Sequence, residues 1–155
     1  MKKIIIIPSR HYLGSKIPWP IVVAVLLLWA CSKPPVYKHP PVKDDYVVVD
    51  TAELKVNSPE FFSYRADKKY INFFVIKTEH TVEAYLDACM KCYPHRKGFR
   101  VEGFFLVCRY CGSRYPLDKL KAGLGTCYPI PLKAEKKGQF LYISIKTLKQ
   151  AERYF

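Results

Sequence analysis

Acidic residues are the scarce charge in this chain: 13 Asp and Glu stand against 26 Lys and Arg, a formal net charge of +13. That field favours nucleic acid, anionic lipid headgroups or an acidic protein as partners. Long apolar runs are missing too. The longest, Ile17 to Ala30, has about 14 residues, the length of a signal-peptide core rather than of a spanning helix, which needs ~20. No paired carboxylates, serine triad or phosphate loop stand out, which leaves the usual hydrolytic and phosphoryl-transfer chemistries without a carrier. There is no internal repeat at the periods of roughly 20 residues or more that mark solenoids and propellers.

The opening segment reads as an export leader. Lys2, Lys3, Arg10 and Lys16 make it positive, with no acid in residues 1–30. The remainder keeps 22 cations against 13 acids, a net of +9. Ser9-Arg10-His11-Tyr12-Leu13 is a near miss to a twin-arginine export signal, with His in place of the second Arg. The apolar run ends at Leu28-Trp29-Ala30-Cys31-Ser32, which is similar to a bacterial lipoprotein signal, although Trp29 stands where a small residue is usual. Cleavage there would leave Cys31 lipidated and its sulfur closed to any metal; otherwise residues 1–31 stay as a short anchor. Either way the domain is expected on a membrane outside the cytoplasm, on the periplasmic or outer-surface side. That address argues against nucleic acid and makes anionic lipid the simplest use of the basic surplus.

Residues 32–45 are proline-rich and read as a polyproline II tether, about 30 Å long at ≈ 3.1 Å per residue. Residues 46–155 then alternate short strands with turns. Strands are predicted at Tyr46–Asp50, at Tyr70–Lys77 (apolar on both faces, hence central), at Thr81–Asp87 and at Phe140–Ile145. A hairpin turning at Glu102-Gly103 is predicted between Phe99–Val101 and Phe104–Val107. Ser58 and Pro59 carry a helix-start signature and predict a helical turn over Phe61 to Tyr64. Lys146 to Phe155 reads as a closing helix with Leu148 and Ala151 inward. The class is mostly β, or a small α+β domain.

The chemistry lies in the cysteines. Cys89-Met90-Lys91-Cys92 and Cys108-Arg109-Tyr110-Cys111 form C-x2-C-x15-C-x2-C. Two residues between cysteines let a tight turn aim both sulfurs at one point about 2.3 Å away, and Gly112 supplies a position able to turn the second knuckle back. The predicted hairpin would bring the knuckles face to face. Crossed disulfides are the competing arrangement that an exported protein allows. Such rubredoxin- or zinc-ribbon-like knuckles suit a mononuclear tetrahedral site, zinc or a rubredoxin-like iron. Cys127 remains as a further ligand, a redox partner or a buried thiol. His95, between the knuckles, reads as a solvated loop residue; Tyr93, Phe99, Phe104, Phe105, Tyr110, Tyr115 and Tyr128 crowd the motif. No helix N-terminus follows Cys89 or Cys108 to activate a thiol, so a dithiol enzyme is the least supported reading.

These residues resemble the membrane iron–sulfur FtrD-like family. Asn72-Phe73-Phe74-Val75-Ile76-Lys77 and Leu86-Asp87-Ala88-Cys89-Met90-Lys91-Cys92-Tyr93 are similar to its "FFV-K … DAC-xx-C-Y" core. Lys97-Gly98-Phe99-Arg100-Val101-Glu102-Gly103 fits "KGY-xx-EG", Val107 to Gly112 fits "VC-xx-CG", and Cys127-Tyr128-Pro129-Ile130-Pro131-Leu132 fits "GGCNPIPL". Thr126 and Tyr128 depart from that last motif. The resemblance implies that Cys89, Cys92, Cys108 and Cys111 bind the metal and that Cys127 joins the cofactor site. It also implies a ferredoxin-like electron carrier rather than an enzyme, working beside a membrane permease or redox protein in iron transport. A structural zinc module without redox activity is the alternative.

Overall fold

Strand alternation decides the architecture, because successive side chains of a strand point to opposite faces of its sheet. The computed structural model describes residues 35–67, 69–120 and 126–155. The leader, with its apolar run and Cys31, lies outside them, as do residues 68 and 121–125. Residues 34–155 form one compact unit, described here by itself.

Its middle sheet is ordered β3 (Glu60–Ala66), β4 (Lys69–Lys77), β5 (Val82–Cys89) and β9 (Pro129–Leu132), all antiparallel. β4 is fully apolar along its centre, and its two faces serve different cores. Ile71, Phe73 and Val75 enter one core with Val47, Leu141 and Leu148. Phe74 and Ile76 enter a second with Phe99, Leu106, Tyr115 and three cysteines. A strand buried on both faces loses the usual polar alternation, which is what the sequence displays here.

The first core is closed by a sheet of β1 (Val42–Lys43), β2 (Tyr46–Asp50), β11 (Phe140–Ser144) and β10 (Glu135–Lys137), in that order. α1 (Ile145–Gln150) and a 3-10 turn over Ala151–Tyr154 follow it, burying Leu148 and Ala151 as expected. The second core is closed by a small antiparallel sheet of β6 (Phe99–Glu102), β7 (Phe105–Cys108) and β8 (Arg114–Pro116).

The helical turn expected at Phe61–Tyr64 is overturned. These residues belong to β3, paired with β4 from Glu60↔Val75 to Ala66↔Lys69. Phe61 and Phe62 enter opposite cores, a division that adjacent residues make on a strand and not on one face of a helix. The turn residue is Asn57, at φ 55°, and pairing across the sheet outweighs the local cap signal. The β6–β7 hairpin also turns one residue later than expected: Glu102 faces Phe105, so Gly103 and Phe104 make the loop. Gly103, at φ 57°, supplies the conformation that a two-residue turn needs.

The proline-rich stretch is built onto the domain from Tyr37 onward. Lys38 bridges Phe62 in parallel, with Lys38 N–H donating to Phe61 O at 2.9 Å and Ser63 N–H to Lys38 O at 2.9 Å. Val42 and Lys43 then pair with β2.

Candidate metal centre

Cys89 ends β5, and with Tyr85 and Asp87 it falls on the face turned to the second core by the two-residue period. The chain then folds into its first knuckle, Cys92 N–H donating to Cys89 O at 3.0 Å, and enters a 3-10 turn over Tyr93–His95. Cys108 ends β7 in the same way. Gly112 N–H donates to Cys108 O at 2.9 Å, and Gly112 takes φ 74° as the chain turns back. Arg109 N–H donates to Gly98 O at 3.0 Å and ties the second knuckle to the entry of β6. Cys127 arrives through β9: Pro129 stands opposite Cys89, and Met90 N–H donates to Tyr128 O at 3.0 Å.

These elements bring five sulfurs together. Those of Cys89, Cys92 and Cys127 lie within 4.8 Å of one another, and so do those of Cys92, Cys108 and Cys111. Cys92 belongs to both groups. A tetrahedral site with metal–sulfur bonds of ≈ 2.3 Å wants sulfurs about 3.8 Å apart, so the spacing is within small side-chain adjustments of a thiolate site. Cys89, Cys92 and Cys108 are buried and Cys111 is exposed; none of the five is in a disulfide.

Proton affinities follow burial and partners. Burial pushes the Cys92, Cys108 and Cys127 thiols up, with neighbouring sulfurs adding to the effect at Cys92 and Cys127. At Cys111 burial also pushes upward, but hydrogen bonds outweigh it, and the thiol comes down to about 6. Ser113 is the main source of those bonds, its hydroxyl 3.2 Å from the Cys111 sulfur. Sulfurs crowded together in an apolar pocket cannot all carry charge without a cation among them, and a bound metal supplies that cation. The Tyr115 hydroxyl fits the same account. It is buried and makes no hydrogen bond among the described residues; burial pushes its pKa up, the charges of Cys89, Cys127 and Cys111 add to that, and nearby Ser113 opposes it. A metal-bound thiolate would give that O–H an acceptor.

Asp87 secures the floor. Its carboxylate accepts Phe99 N–H at 2.7 Å and the Tyr37 hydroxyl at 2.5 Å. Burial nevertheless raises its pKa to about 6, opposed by those hydrogen bonds and by Arg109. Gly98 packs directly over it: a Cβ there would sit 2.4 Å from Asp87 Oδ2, at φ +65°.

All four knuckle cysteines and Cys127 therefore share one pocket. His95 is exposed, outside both sulfur groups, and stacks on Tyr110 with centroids 3.5 Å apart. Of the aromatics expected around the site, Phe99 and Tyr115 are buried in the sulfur core, whereas Phe104 and Tyr110 face solvent. Sequence reasoning missed Tyr37, Asp87, Gly98 and Ser113. Asp87 and Gly98 were signalled by their places beside the first knuckle and before β6; nothing local signals that Tyr37 folds back onto Asp87.

A family model described as "Membrane iron-sulfur containing protein FtrD-like" matches residues 54–155. No curated protein and no solved structure matches the chain.

Proposed function

This chain belongs to the FtrD-like family of membrane iron–sulfur-containing proteins, and we propose that its cysteine pocket holds iron for electron transfer at a membrane. The observation that carries the reading is the convergence of five sulfurs, three of them buried, at the contact of two sheets. Iron held there, as one ion or as a cluster, would supply one-electron chemistry. The chain's own residues do the rest. Cys89, Cys92, Cys108 and Cys111 would ligate, with Cys127 as the additional donor. Phe99, Leu106 and Tyr115 keep water from the buried sulfurs.

No helix of the described residues is long and apolar enough to cross a membrane. Attachment is therefore assigned to the leader, through lipidation at Cys31 or the retained apolar run, with the domain on the extracytoplasmic side. A permease or redox protein of an iron-transport system is the proposed partner, and the basic surface also suits anionic lipid. The test is anaerobic purification of the full chain from membranes, with metal and sulfide analysis and a visible spectrum. Iron with thiolate charge-transfer bands that dithionite bleaches supports the carrier. Colourless protein holding one zinc sinks it and leaves a structural module.

A further inference from the structure

One side of the cysteine site carries a surplus of exposed cations over a single buried acid, Asp87. Among the five cysteines Cys111 is exposed, Cys127 is half-buried and the other three are buried. Beside Cys111, the exposed Tyr110 ring lies on His95 at an interplanar angle of 8°, so the two knuckles meet in a flat, solvent-facing stack. Over residues 88–117 the chain carries six cations, Lys91, Arg96, Lys97, Arg100, Arg109 and Arg114, and a single acid, Glu102. Glu102 is occupied by Arg100 at 2.6 Å and Arg114 at 2.7 Å. Arg96 and Lys97 have no ion pair among the described residues. Together with Arg109, which acts on the Asp87 carboxylate in the same wall, they line a cavity of about 230 Å³ that Cys89, Cys92, Cys108 and Tyr110, the neighbour of Cys111, also line.

Resting on the redox reading above, we propose that this face is the docking surface for an acidic one-electron redox protein, whose carboxylates seat against Arg96, Lys97 and Arg109. One electron passes between the centre and that partner with no atom transferred, and Cys111 is the exit because it is the exposed residue of the five. Exposed cations without an ion pair beside a concave redox site, here Arg96 and Lys97, raise the local concentration of an anionic partner. A membrane surface, being flat, would not use a recess.

The experiment reads charge selectivity. The full chain, purified anaerobically in detergent and reduced with dithionite, is oxidised in a stopped-flow cell by ferricyanide or by hexaammineruthenium(III). Each takes one electron, the first as an anion and the second as a cation. Reversing both charges in Arg96→Glu/Lys97→Glu is expected to slow ferricyanide about tenfold at ~0.01 M ionic strength and to speed the ruthenium complex, both effects vanishing near ~1 M. Lys133→Glu/Lys136→Glu, two reversals at exposed residues beside and within β10, is the reference for general charge. If the double variant loses its visible spectrum, the single changes Arg96→Gln and Lys97→Gln must show the same trend, graded.

Rates that follow only net charge, equal in the double variant and in two distal reversals, overturn the face while leaving the centre redox-active. A preparation that never takes up an electron overturns the redox reading itself, and the face with it. The chain is also placed in vesicles of phosphatidylcholine alone or with phosphatidylglycerol. Should the anionic lipid suppress ferricyanide oxidation of the native chain and spare the double variant, the face belongs to the bilayer and the proposal falls.

Discussion

Three residues test how the pocket is built and tuned. Gly98 has no freedom to change, since any Cβ would strike the Asp87 carboxylate and the backbone is left-handed. Gly98→Ala is expected to cost roughly 3 kcal/mol or more, from strain and overpacking together, seen as a lower denaturation midpoint. Tyr37→Phe keeps the edge contact with Phe61 but strips one hydrogen bond from a buried carboxylate. It should cost about 1–3 kcal/mol and hasten tryptic cleavage at Lys38. Tyr115→Phe tests the unpartnered hydroxyl. If that O–H donates to a bound thiolate, its loss leaves more electron density on sulfur, and the reduction potential should fall with little change in stability. An unchanged potential would remove Tyr115 from the site.

At the scale of elements, the cysteines belong to one core and not to the other. The core between the middle sheet and the β1-β2-β11-β10 sheet contains no cysteine, whereas the core beneath β6–β8 contains Cys89, Cys92 and Cys108. Metal removal should therefore act locally. Chelation under anaerobic conditions is expected to deprotect the amides of β6, β7 and β8 to hydrogen exchange while those of β2, β4 and β11 stay slow. Uniform loss of protection would mean that the two cores fold as one unit. Within the site, Cys92 is the element shared by both sulfur groups. Cys92→Ser should abolish metal retention, whereas Cys127→Ser should weaken it; metal analysis after gel filtration separates the two.

At the scale of the whole molecule, the exposed cations Arg96 and Lys97 line the same cavity as the buried Cys89, Cys92 and Cys108. The part of this legible in the sequence was the part written locally. The two C-x2-C knuckles, the β6–β7 hairpin between them, the doubly apolar β4 and the mostly β class all follow from spacing and periodicity, which are properties of neighbouring residues. Cys127 was legible as a candidate because the four-ligand set leaves it over, and again through its motif. The rest needed partners distant in the chain. Phe61 to Tyr64 carry a helix-start signal and become a strand because β4 offers them a full ladder and two cores to fill. β9, with two prolines, and β10, wholly exposed, have no strand signature of their own and exist because β5 and β11 present edges to them. Tyr37 meets Asp87 across fifty residues, and no local pattern encodes that meeting. Sequence alone thus determined which residues could ligate a metal, because ligand spacing within a knuckle is local geometry. Only the tertiary structure decided that all five sulfurs share one pocket and which of them faces solvent, because both depend on how separate sheets pack.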